Sequence, residues 1–141
     1  MIETRAYAAH DVDWVYTTTP PGWFDATGLC RVVDPSLSVS FVEGPTYYGS
    51  AGLFRLWPGV YEAWLVLAVP PPQPWDFLYH LRRALRLGER LTRAHRLQAY
   101  CVASYTAGSV VAHRCGFACE GVMRAATPDR QDLLLYAKVR M

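Results

Sequence analysis

The side chain best suited to acid–base chemistry in this 141-residue chain is Glu62. It opens the apolar run Tyr61–Val69, beside Tyr61, Ala63 and Trp64. Burial among such neighbours raises a carboxyl pKa toward neutrality, where the group can take a proton from an amine. Strand alternation also explains Glu62 without chemistry, as a solvent-facing glutamate at a strand start. The cysteines Cys30, Cys101, Cys115 and Cys119 form no Cys-x-x-Cys pair. Cys115 and Cys119 have no second pair opposite them, which argues against a zinc site, and no metal is expected. No Cys/His/Asn-type signature surrounds Cys101 or Cys115, so the thiols read as free, mostly buried and held in a reducing compartment. Arg82, Arg86, Arg90 and Arg93 are spaced four, four and three, which makes one stripe on a helix. Such a stripe can grip nucleic acid or an acidic partner. No DNA- or RNA-reading motif accompanies it, and Glu89 partly neutralises it as a near neighbour of Arg86 and Arg93. A solvated helix face is the expectation, with no nucleic-acid partner.

These residues need a scaffold, and composition bounds it. Hydrophobic residues make up 52% and charged ones 18%, which excludes disorder. The length suits a single domain over 1–141. The longest apolar run, Ala63 to Pro72, is too short to cross a bilayer and ends in prolines. The start Met1-Ile2-Glu3-Thr4-Arg5 lacks the order of a signal peptide, and Val139-Arg140-Met141 carries no lipidation signal. A cytoplasmic location is therefore expected. A net charge of +2 gives no global electrostatic preference.

Periodicity supplies the elements. Ile2–Tyr7 reads as a short strand, and Asp11 as the cap of a helix from Val12 that ends by Pro20-Pro21-Gly22. Ser36–Val42 alternates Leu37, Val39 and Phe41 against Ser36, Ser38 and Ser40, the pattern of a half-buried strand. Thr46–Leu56 and Tyr61–Val69 are further strands, joined at Trp57-Pro58-Gly59, so the three form an antiparallel meander. Trp57 in that turn is hard to bury and is a candidate partner contact. Trp75–His95 is helical, with Phe77, Leu81, Ala84, Gly88 and Leu91 on the buried stripe. Leu97–Ala103 is a strand, Thr106–Arg114 a helix closed by Gly116, and Phe117–Met123 and Asp132–Val139 are the last strands. The switch from meander to strand–helix–strand indicates an α+β or mixed α/β domain.

The order of elements and the closing motif carry a family resemblance. Cys115-Gly116-Phe117, then Glu120-Gly121, Arg124, Asp132 and Tyr136, resembles the end of the GNAT (GCN5-related N-acetyltransferase) superfamily. The resemblance implies the GNAT acyl-CoA N-acyltransferase fold, a central, mostly antiparallel sheet flanked by helices. It also implies transfer of acetyl from acetyl-CoA to an amine-bearing small molecule or peptide. The implied general base is Glu62. The family's acid tyrosine, four residues before the glycine, is Ala112 here, and Tyr105, His113, Cys115 and Tyr136 are possible stand-ins, of which Tyr105 and Tyr136 join Glu62 as the catalytic set. Backbone groups of Leu67, Ala68 and Val69 are implied to hold the pantetheine arm, with Gln73 as a further cofactor contact.

The matching phosphate loop departs from the family. Pro70-Pro71-Pro72-Gln73-Pro74 has no glycine, and each proline removes an N–H donor that a phosphate needs. Asp76 adds a carboxylate in the first helical turn, where it favours the helix and repels a pyrophosphate. The segment Leu56-Trp57-Pro58-Gly59-Val60-Tyr61-Glu62-Ala63-Trp64 also resembles small GNAT-like proteins encoded by tailed phages. That likeness implies an alternative, a catalytically silent virion or assembly component. It would pack as a homo-oligomer or against virion structural proteins, in host cytoplasm or virion.

Overall fold

The computed structural model describes residues 1–8, 10–11, 33–68 and 73–140. The expected helix from Val12, along with Cys30, Val69 and Pro70-Pro71-Pro72, lies outside the described residues. The strands are β1 (Glu3–Ala6), β2 (Ser38–Glu43), β3 (Thr46–Trp57), β4 (Val60–Leu67), β5 (Arg96–Val102), β6 (Ala118–Met123) and β7 (Leu133–Val139). The helices are α1 (Pro74–Thr92) and α2 (Thr106–Arg114), and a 3-10 turn, Pro35–Leu37, precedes β2. The sheet order is β1-β2-β3-β4-β5-β7-β6. Every neighbouring pair is antiparallel except β4 and β5, which α1 connects as a crossover. The architecture is α+β, as the element order implied.

Both helices share the core on one face of the sheet. Phe77, Leu78 and Leu81 of α1 and Ala112 of α2 join Phe41, Leu53, Leu97 and Tyr136 in one buried cluster. Phe41 is wholly buried and meets Phe77 edge-on with ring centroids 5.1 Å apart. A Cβ at Gly88 would stand 2.8 Å from Leu53 Cδ1, so α1 lies close against β3 because that position has no side chain. α1 ends where Arg93 turns left-handed at φ 53°.

Leu91, expected on the buried stripe, is 65% exposed. Its stripe averages 3.5 residues per turn, and a helix drifts by about 20° per heptad against that repeat. Two heptads beyond Phe77, the last member has rotated out of the core.

A second correction concerns the serines of β2. Ser38 and Ser40 face the other side of the sheet from Phe41, yet both are buried, as is Ser50 of β3. They are satisfied internally. Ser38 Oγ donates to the Asp34 carbonyl at 2.7 Å, and the Ser40 and Ser50 hydroxyls lie 2.7 Å apart. Ser40 also donates to Asp11 Oδ2 at 2.7 Å, and Arg5 grips both Asp11 oxygens at 2.8 Å. Buried polar groups need such partners, and alternation alone cannot reveal them.

The cysteines divide by position. Cys115 is buried, Cys101 half-buried and Cys119 exposed, all as free thiols. Among the described residues no helix is long and apolar enough to cross a membrane, and no cluster of His, Cys, Asp and Glu suits a metal ion.

Candidate active site

The parallel pairing of β4 with β5 lasts only three residues. Val60 pairs with Arg96, Tyr61 with Leu97 and Glu62 with Gln98, and there the ladder stops. β4 continues to Leu67 and β5 to Val102, so the two strands diverge beyond Glu62. The cause lies on either side of them. β4 stays hydrogen-bonded to β3 along its length, from Val60 with Trp57 to Leu67 with Gly49. β5 follows β7 from Arg96 to Val102. Each strand is held by its outer neighbour, which leaves a gap at the only parallel junction among the described residues.

Glu62 stands at the vertex of that gap. Alternation along β4 puts it with Trp64 and Val66, on the face opposite the two helices, while Tyr61, Ala63, Leu65 and Leu67 pack into the helix-side core. Burial pushes the Glu62 carboxyl up to about 7, with no hydrogen bond or neighbouring charge from the described residues contributing. Trp64 does not fill the gap. Its indole lies over Gly52 of β3, where a Cβ would come within 2.8 Å of the ring, and its edge meets Tyr7 at 6.3 Å between centroids. Trp75 is also clear of the gap: it is 69% exposed, with the Arg114 guanidinium 4.7 Å above its ring.

The other sequence-derived candidates separate. Glu62, Leu67 and Tyr105 border one broad cleft that reaches both faces of the sheet, from Trp64 and Val66 to Leu81 and Leu91. Tyr105 is the N-cap residue of α2 and is 58% exposed. Tyr136 is only 3% exposed, in the helix-side core, with its ring 5.3 Å from that of His113. Ala68 donates its N–H to the Tyr48 carbonyl at 2.8 Å, so that amide is committed to β3. Strand alternation then turns the backbone groups of Leu65 and Leu67 toward the gap. Val69 lies outside the described residues. Gln73 is the N-cap of α1, and its side chain makes no capping bond. Sequence reasoning missed Gln98 and Tyr100, which flank the gap from β5, on the face that Glu62 shares. Their alternation against Leu97, Ala99 and Cys101 was visible, but the register that sets Gln98 beside Glu62 was not.

The gap fits an extended, amide-bearing arm, which would lie against the backbone of Leu65 and Leu67 like an added strand. The start of α1 is a poorer fit for a diphosphate. Pro74 offers no N–H, leaving Trp75 and Asp76 as the first-turn donors. The Asp76 carboxylate accepts from Ile2 N–H at 3.3 Å and lies 3.5 Å from His80 Nε2, which turns part of its charge away from the helix end.

No protein-family model matches the chain, and no curated protein matches it. Solved structures do. An acetyltransferase of the GNAT family from Bacillus anthracis superposes with a TM-score of 0.72 at 14% identity, covering 98% of this chain and 94% of that one. The chain has the GNAT fold. A mutant form of the spermidine/spermine N-acetyltransferase SpeG from Vibrio cholerae gives 0.71 at 14% identity, over 99% and 95% of the two chains. RimL, a ribosomal L7/L12 alpha-N-protein acetyltransferase solved with coenzyme A, gives 0.67 at 16%, over 99% and 94%. In this GNAT fold the β4–β5 gap is the feature that sets Glu62 apart from every other carboxylate of the described chain.

Proposed function

We propose that this chain is an N-acetyltransferase that moves acetyl from acetyl-CoA to an amine-bearing small molecule or peptide. One observation carries the reading: Glu62 stands where β4 and β5 part, with its carboxyl raised to about 7 by burial. A base of that pKa is matched to proton transfer near neutral pH. Glu62 accepts the amine proton through a water, and the new C–N bond replaces the thioester C–S bond. Tyr105, exposed at the N-cap of α2, returns a proton to the departing sulfur. Leu65 and Leu67 hold the pantetheine arm through backbone groups, and Gln73 with the first turn of α1 receives the phosphates. When bound, the coenzyme supplies the activated acetyl thioester. Tyr136, enclosed under α2, supports the sheet. The spermidine and protein N-terminal acetyltransferases among the structural neighbours support an amine acceptor.

Thiol release from acetyl-CoA, measured against a panel of polyamines and free-N-terminus peptides, tests the reading. Turnover with at least one amine, lost in Glu62→Gln, is the expected result. Turnover unaffected by that substitution refutes the role of Glu62. Asp76 and Pro74 at the phosphate end favour a second reading, a catalytically silent assembly or virion component. Co-purification with virion structural proteins, in the absence of any coenzyme binding, would establish that alternative.

A further inference from the structure

The outer face of α1 was expected to be partly neutralised by Glu89, and it is not. Glu89 turns inward and receives Lys138 Nζ of β7 at 2.7 Å. The other acid of the helix, Asp76, is engaged with Ile2 and His80. Arg82, Arg83, Arg86, Arg90 and Arg93 are all exposed, and none has a side-chain partner among the described residues. At 100° per residue Arg82, Arg83, Arg86 and Arg90 fall within one sector of the helix with Trp75 and Tyr79, bordered by the engaged Asp76 and Glu89, and Arg93 follows at the C-cap. Trp75 and Tyr79 are 69% and 59% exposed.

The charge continues past the helix end. A notch beyond α1 is lined by Arg90, Arg93, His95 and Arg140, with Glu89 as its one acid, already paired. The carbonyl of Gly59 accepts from His95 N–H at 2.9 Å, which sets the β3–β4 turn against this notch. Trp57 in that turn is 69% exposed. A track of unpaired guanidiniums therefore has exposed aromatic side chains at both ends, with one face of the Trp75 ring covered by Arg114.

We propose that this face binds single-stranded nucleic acid without sequence preference. Guanidinium forks match phosphate oxygens, and exposed rings offer stacking platforms for unpaired bases. An acidic protein would use the charges and leave the rings idle. Trp75, Arg82 and Arg86 lie outside the cleft that Glu62 lines, although Arg83 and Arg90 also border it, and the inference does not rest on the acetyl-transfer reading.

Fluorescence anisotropy with a labelled oligo(dT) strand, measured across salt concentrations, tests it. Five phosphate contacts at a slope of about −0.7 each predict a loss of about 100-fold in affinity between 50 and 200 mM salt. The variant Arg82→Gln/Arg86→Gln/Arg90→Gln keeps two contacts, so its loss over the same range falls to about 7-fold. Unchanged circular dichroism verifies that these exposed substitutions leave the fold intact. Trp75→Ala weakens binding while the salt slope stays the same. Binding of oligo(dT) that is absent, or unchanged in the triple variant, overturns the proposal. So does tighter binding of duplex DNA, of poly-glutamate or of anionic phosphatidylserine vesicles than of the single strand.

Discussion

Replacing Glu62 by Gln should remove catalysis and stabilise the protein in the same step. Folding raises the carboxyl pKa from 4.5 to about 7 because burial penalises the charged form. Below pH 4.5 the group is protonated in both states and contributes no difference. As pH climbs from 4.5 through 7, the unfolded chain ionises first and the folded state loses stability. The full interval sets a ceiling of about 3 kcal/mol, and solvent reaching the cleft mouth reduces it to about 1–2 kcal/mol. Glutamine keeps the shape without the charge, so Glu62→Gln recovers that amount at pH 8 and nothing at pH 4. For a domain of this size the gain is about 3–6 °C in Tm. Thermal unfolding of both proteins at the two pH values measures it, and thiol release measures the accompanying loss, about 10²–10⁴-fold for a general base. In the parent protein, kcat/KM should rise with pH through about 7 and then level. Equal Tm values at pH 8, or a less stable Glu62→Gln there, would refute the claim that burial shifts this carboxyl.

Three other outcomes follow from the packing. Asp11 suffers burial, but Arg5, the Ala8 N–H and the Ser40 hydroxyl outweigh it and hold the carboxyl at about 2. Its stabilising contribution, about 2 kcal/mol, is therefore present above pH 3.8 and is lost as pH falls toward 2; acid titration of parent and Asp11→Asn should converge at the low end. Gly52→Ala places a methyl 2.4 Å from Ser38 Oγ and 2.8 Å from the Trp64 indole, and should cost about 1–3 kcal/mol in denaturant unfolding. Phe41→Ala empties the centre of the core and should cost about 3–5 kcal/mol, whereas the exposed Leu91→Ala should stay within about 0.5 kcal/mol.

Local periodicity made most of the fold legible. The 106–114 helix has the bounds its sequence indicates, and α1 differs only at its ends, where Pro74 opens it and the left-handed Arg93 closes it before His95. Gly116, at φ 91°, ends α2 as a residue without a side chain can, and Phe117 enters the core behind it. What stayed hidden depends on distant partners. Ser40 looks like a surface residue until Asp11 and Ser50 are brought to it. Glu89 pairs with a lysine 49 positions away in preference to the arginines on its own helix. Glu62 stood out by its apolar neighbours, but its place at the end of a three-residue ladder depends on register, which no single strand encodes. Tyr136 and Tyr105 look equivalent as letters, and only their placement, one on the helix-side face of β7 and the other exposed at the start of α2, separates a core ring from a surface one.

Calorimetric titration of the full chain with acetyl-CoA bears most directly on the gap as a coenzyme seat. A saturable heat with one site per chain, abolished when Leu65→Pro removes a gap-facing amide in a variant that still folds, is the expected result. Absence of any heat at millimolar coenzyme would contradict it and leave the fold without its acetyl donor.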